Sequence, residues 1–128
     1  MASEERAVTI AKRHIEAWSH HDWQASRDLL TPDVTVTVTT TQPIMKPVTT
    51  TGDDAYMEGL RAFAKDVIPG SARVLAANGD ARNAMVMVVV ESVLGGRDVS
   101  LTGARLYLLD EHDRIQSEQV IFYVAEPS

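Results

Sequence analysis

The sequence has no cysteine, which excludes disulfides, thiolate metal sites and a thiol nucleophile at once. Basic residues are in the minority, 12 Lys and Arg against 18 Asp and Glu, and the net charge of −6 offers no stripe for neutralising phosphates. Nucleic acid is therefore not an expected partner. No apolar run approaches the roughly 20 residues of a membrane span. Met1 to Arg6 also lack the basic segment and apolar stretch of a signal peptide, so a soluble, cytoplasmic protein with no membrane partner is expected. No Gly-x-Ser-x-Gly elbow is present, and Gly95-Gly96 opens no helix that would cradle a phosphate. What the chain does have is 128 residues, 45% of them hydrophobic, which is enough for one domain spanning 1–128. A domain of this size buries about two-thirds of its unfolded surface without staples.

From Ala7 onward, Ile10, Ala11, Ile15 and Trp18 recur at helical spacing, with His14 inside the same stripe. Asp22 is a good N-cap for a short second helix carrying Trp23, Leu29 and Leu30 before Pro32. Val34 to Thr39 alternates at period two with β-branched residues throughout, the pattern of a half-buried strand. Thr40 to Thr51 contains Pro43 and Pro47 and reads as a long loop or an edge hairpin. A third helix, capped by Thr51 or Asp53, aligns Tyr56, Leu60 and Phe63 and stops before Pro69-Gly70. Strands follow over Ala72–Ala77, Asn83–Leu94, Val99–Leu109 and Arg114–Val124, joined by Asn78-Gly79, Gly95-Gly96 and a polar turn over Asp110–Asp113. Helices first and a strand meander afterwards give an α+β domain, with the helices on one face of the sheet.

Met85 to Val90 and Ile121 to Val124 are apolar at both parities, whereas an antiparallel sheet with one wet face alternates. Both faces should be covered. The helices cover one, and a second copy of the chain, as a two-fold homodimer, is expected on the other; the alternative is a sheet curled enough to cover both faces itself.

Catalysis on a small apolar molecule needs ionisable groups aimed into a dry pocket, because burial moves their pKa values. His14, in the middle of an apolar stripe, is one such group; it is either an acid or base, or a core histidine satisfied by a neighbour. If Asp110 to Asp113 is a four-residue turn, Leu109 pairs with Arg114 and Arg105 stands opposite Glu118. That ion pair shares a face with Tyr107, Leu109 and Val120, while Ile115 and Ile121 fall on the other. Alternation leaves open which face meets the helices. His20 and His21 beside Asp22 suggest a metal only weakly, since adjacent side chains point apart, and no metal is expected.

The run Trp18-Ser19-His20-His21-Asp22-Trp23, followed by Leu29-Leu30-Thr31-Pro32-Asp33-Val34, resembles the nuclear-transport-factor-two-like superfamily, and within it the SnoaL-like and ketosteroid-isomerase-like branch. Thr51-Gly52 before the third helix and Asp113-Arg114-Ile115 before the last strand are similar to that pattern too. The resemblance covers about residues 5–124. It implies a curved antiparallel sheet wrapped around the helices as a cone, often dimeric through its outer face. A deep pocket would open at one end, and the faces of His14 and Arg105 would turn toward it. The ketosteroid-isomerase tyrosine, base and second donor fall on His14, Val38 and Arg105, so that catalytic set is not retained. The SnoaL-like aspartate near the end of the last strand also has no counterpart beside Tyr123-Val124.

The resulting expectation is a cofactor-free acid–base enzyme of isomerase, cyclase or dehydratase type that acts on a small hydrophobic molecule. Catalysis would rest on His14, Arg105, Glu118 and Tyr107, with Tyr56 as a further hydroxyl donor. Trp18, Val38, Tyr56, Leu60, Phe63, Val88, Val120 and Phe122 would line the ligand. The alternatives are a module that binds a hydrophobic ligand without turnover, or one whose product is the dimer. The loop from Thr40 to Thr51 is either a lid or an ordinary connection.

Overall fold

A computed structural model describes residues 5–40 and 47–124. The chain opens with α1 (Arg6–Ser19) and the short α2 (Trp23–Arg27), then runs into β1 (Leu30–Thr40). After β2 (Val48–Thr51) comes α3 (Asp53–Ala64), followed by β3 (Arg73–Gly79), β4 (Asn83–Leu94), β5 (Arg97–Leu109) and β6 (Ile115–Val124). The six strands form one sheet in the order β2-β1-β6-β5-β4-β3. All neighbours are antiparallel except β1 and β6, which run parallel. That pair makes the sheet mixed, and it joins the first strand to the last, a long-range closure that no local turn signal encodes. Register irregularities interrupt β1, β3 and the β5–β6 ladder, and each such bulge bends its strand. The result is a curved sheet with the helices in its hollow.

α1 buries Ala7, Val8, Ile10, Ala11, His14, Ile15 and Trp18 against β3, β4 and β5. Asp22 caps α2 by accepting a hydrogen bond from the Ala25 amide at 3.2 Å. This helix is shorter than the sequence suggests, since Leu29 lies beyond it and Leu30 already begins β1. Arg27 then ties α2 to the start of α3, pairing with Asp53 at 3.2 Å and also with Asp54. Neither Thr51 nor Asp53 caps α3. Gly52 does, at φ +99°, where a side chain would be strained, and its amide reaches the Val34 carbonyl at 2.8 Å. α3 stops at Ala64, well before Pro69, because the chain turns there to bridge Val67 to Ser92 on β4. The His21 ring donates to the Ala64 carbonyl at 2.9 Å, serving an acceptor that the helix end leaves over.

Two hairpins differ from expectation. Asn78 and Gly79 stay in β3, and the turn is made by the next residues, where Asp80 Oδ1 accepts from the Arg82 and Asn83 amides at 2.8 Å each. In the β5–β6 hairpin Leu109 pairs with Ile115, not Arg114, while Leu108 pairs with Ser117. Gln116 is thus the extra residue of a bulge. Ile115 consequently turns inward and is fully buried, and Tyr107, not Arg105, stands opposite Glu118, with Arg105 opposite Val120.

Burial alternates along the first half of β4, where Val86 and Val88 are buried and Met85 and Met87 exposed, and the alternation then breaks, since Val89 is buried between Val88 and Val90. Leu106 and Ile121 are exposed as well, so the protomer leaves the part of the outer face around Met85 and Met87 uncovered. Of the long loop or edge hairpin expected over Thr40–Thr51, residues 48–51 form the edge strand β2, antiparallel to β1, and positions 41–46 lie outside the described residues. No described helix is long and apolar enough to cross a membrane.

Candidate active site

A cavity of about 200 Å³ lies between α3 and the inner face of β1, β6 and β5, and β2 adds Thr50 to its wall. Its apolar walls come from helical spacing on one side and strand pairing on the other. α3 contributes Ala55, Tyr56, Gly59, Leu60 and Phe63, which fall on one face three and four residues apart. Across from it the ladder aligns Val36 with Glu118, Val38 with Val120, and Val120 with Arg105, so these side chains share the inner face.

Three polar groups close the cavity's inner end. The Tyr56 hydroxyl donates to Glu118 Oε1 at 3.0 Å, and Arg105 Nη1 reaches the same oxygen at 3.4 Å. Arg105 is 4% exposed and Glu118 3%, so this ion pair is removed from solvent. The guanidinium lies 4.9 Å from the centroid of Trp18 and 5.8 Å from that of Phe63, whose rings meet edge to face. Burial alone would lower the Arg105 pKa, but Tyr107, Glu118 and Tyr56 outweigh it and hold it above the ordinary value. Burial, reinforced by Glu118, pushes the Tyr56 hydroxyl well up, so it remains a phenol and a donor.

Behind this wall is a second polar layer. His14 is fully buried and does not line the cavity; its Nε2 meets Ser26 Oγ at 2.9 Å and the Tyr56 hydroxyl at 3.4 Å. Burial, with repulsion from Arg105 second, lowers its pKa to about 3. A neutral imidazole this far from protonation does not fit the acid–base role expected of it. Tyr107 is also behind the wall. Its hydroxyl is driven well up by burial and then by Glu118, and it interacts with both Glu118 and Arg105.

Of the expected ligand contacts, Val38, Tyr56, Leu60, Phe63 and Val120 line the cavity with Arg105 and Glu118. Trp18 and Val88 are in the core, Trp18 beneath the guanidinium and Val88 on β4 beyond the wall. Phe122 pairs with Gly103 along the backbone, and its side chain lies outside the described residues. The sequence reading missed Val36, Thr50, Ala55, Gly59 and Ser26. Val36 shares the parity of Val38, and a glycine inside a helix, which costs about 1 kcal/mol against alanine, is itself a signal. Nothing local pointed to Ser26. His20 and His21 diverge, one to Glu16 at 3.0 Å and the other to Ala64, and no metal-binding cluster of His, Asp or Glu occurs among the described residues.

No curated protein matches the sequence. Among solved structures, the epoxide hydrolase/cyclase-like enzyme SalBIII of salinomycin pyran-ring formation superimposes with a TM-score of 0.73 at 15% identity, over 91% of this chain and 90% of that one. A putative SnoaL-like polyketide cyclase from Shewanella denitrificans gives 0.70 at 12% identity, over 91% and 90%. A protein of ketosteroid isomerase-like fold from Catenulispora acidiphila, in complex with trimethylamine, gives 0.67 at 16% identity, over 87% and 82%. At these identities the likeness is one of fold. The SnoaL-like domain family itself matches residues 11–118, which is most of the sequence, and the chain belongs to that family.

Proposed function

We propose that the protein is a cofactor-free acid–base enzyme of isomerase, cyclase or dehydratase type, acting on a small apolar molecule held in the cavity beneath α3. The observation that carries this reading is a buried carboxylate at the end of an apolar cavity, one of its oxygens held by a phenol and a guanidinium. Glu118, the carboxylate that lines the cavity, takes a proton from the substrate, and Arg105 meets the negative charge that develops on a substrate oxygen. Tyr56 fixes the carboxylate and is a positioning residue. His14, with Ser26, holds Tyr56 from behind in place of acting as the base. The cyclase-like names of two structural neighbours support this class of reaction.

The reading is tested with 5-nitrobenzisoxazole, a flat probe whose ring opens when a carboxylate removes its one acidic C–H proton. Turnover by the protein that falls at least about a hundredfold in Glu118→Gln, with the fold intact, is expected; equal rates in the two proteins would contradict it. A second reading, a ligand-binding module without turnover, is favoured by the sealed, neutral His14 and by Glu118 Oε1 already serving two donors. It predicts binding of the probe with no ring opening.

We also infer that a second copy of the chain covers the outer sheet face. The exposed Met85, Met87, Leu106 and Ile121 support this.

A further inference from the structure

The residues that α3 turns toward the cavity lie at two depths. Tyr56 and Leu60 are buried, whereas Ala55 is half-buried and Gly59 is exposed, although all four line the same space. Ala55 and Gly59 therefore border its mouth. On the sheet side Thr50 of β2 pairs with Val36, and the cavity-lining Val38 pairs with Val48. Opposed residues of a ladder share a face, so Val48 continues the apolar inner face from Val38 to the edge strand, and there it is 56% exposed.

The fold gives no reason for a glycine at position 59. Its φ is not positive, so its conformation does not call for one, and an added Cβ would meet no described atom within 4 Å, so close packing does not call for one either. Glycine inside a helix weakens it relative to alanine. What the missing side chain does provide is width at the mouth. Size makes that width matter. A cavity of about 150 Å³ takes one benzene ring, and this one, at about 200 Å³, holds such a ring and little more. A longer substituent has to leave through the mouth, past Gly59, and the exposed apolar surface it meets there is Val48.

We infer that Gly59 is the specificity-determining residue of the cavity: by keeping the mouth open between α3 and β2, it admits an apolar molecule whose single-ring head sits inside and whose unbranched alkyl tail passes Gly59 to lie against Val48. This rests on the cavity being the working site and gives the shape of the substrate for it. A branched substituent of the same size is held at the mouth and does not reach Val48.

The test titrates benzene, butylbenzene and tert-butylbenzene into the whole protein while NMR follows the methyl groups of Leu60 in the cavity wall and of Val48 at the rim. Each buried methylene is worth about fourfold in affinity, so butylbenzene should bind at least about tenfold tighter than benzene and at least about threefold tighter than its branched isomer. All three should shift Leu60, and butylbenzene alone should shift Val48. Gly59→Leu should cost butylbenzene at least about tenfold and benzene less than about threefold. Gly59→Ala, which favours the helix, should lower butylbenzene affinity by an intermediate factor and keeps the test open if the leucine variant fails to fold. Equal binding of the two isomers, a Val48 signal that ignores butylbenzene, equal losses for benzene and butylbenzene in the Gly59 variants, or no binding by any member overturns the inference. Because the series reads affinity and the nitrobenzisoxazole assay reads turnover, failure of the ligand shape and failure of the acid–base reading are told apart.

Discussion

Two layers of one polar cluster lie back to back under α1 and α3, and their surroundings set them different tasks. In the front layer Tyr56, Arg105 and Glu118 line the cavity; in the rear layer His14, Ser26 and Tyr107 are sealed behind it, although the His14 ring lies only 5.7 Å from that of Tyr56. Burial is nearly complete in both. Glu118 has a guanidinium and a phenol on one oxygen, and it lines the cavity. His14 has a hydroxyl neighbour, a cation nearby that repels its protonated form, and no cavity of its own. A buried titratable group is thus a candidate for chemistry only when a substrate can reach it. The most conspicuous such residue in the sequence, a histidine on an apolar helix face, lies behind the cavity wall and not on it.

The contrast can be broken from either side. The largest effect is expected from the rear layer in acid. Below the unfolded value near 6.5 the unfolded chain takes up a proton that folded His14 refuses until about pH 3. The unfolded state therefore binds more protons across that window, and stability falls as pH falls through it, by as much as about 5 kcal/mol in total. Urea unfolding between pH 7 and 4 measures the slope, and His14→Gln should flatten it. Next in size, Arg105→Met leaves Glu118 buried without its cation and should cost about 3–5 kcal/mol of unfolding free energy in the same assay. Glu118→Gln should cost the probe reaction at least about a hundredfold, or about 3 kcal/mol in the barrier, while circular dichroism is unchanged. A smaller change of opposite sign is expected at Gly59, where an added Cβ meets nothing within 4 Å. Gly59→Ala should stabilise α3 by about 0.5–1 kcal/mol in thermal unfolding, whereas Gly59→Leu should obstruct the cavity and slow the probe reaction. The least effect on the protomer is expected of Met87→Lys, on the exposed outer face. It should leave stability within about 0.5 kcal/mol yet shift sedimentation equilibrium from dimer to monomer.

The elements with local codes were legible in the sequence. α1 showed itself through its stripe, α2 through Asp22, and β4 with its following turn through Asn83–Leu94 and Gly95-Gly96. The partnership of Arg105 with Glu118 was also legible, although for a register the chain does not adopt, and only the family resemblance turned it toward the inner face. The bulge at Gln116 shifts the ladder so that Arg105 faces Val120, and the long guanidinium then spans the diagonal to the carboxylate. Nothing in the alternation of Arg114–Val124 marks that extra residue, which is why Ile115 was assigned to the wrong face. The parallel pairing of β1 with β6 and the meeting of Ser26 with His14 depend on how distant segments pack, so neither leaves a trace in local spacing. The depth of a side chain relative to a cavity wall is of the same kind. It separated Tyr56 from Tyr107, which the sequence presents alike.

The division into a working layer and a sealed one is tested most directly by the protonation of His14. NMR of its imidazole from pH 8 to 4, assigned with His14→Gln and repeated with 5-nitrobenzisoxazole, should show a neutral ring throughout both titrations. A midpoint between about pH 5 and 8 that moves when the probe is added would put His14 in the cavity with Glu118 and contradict the account.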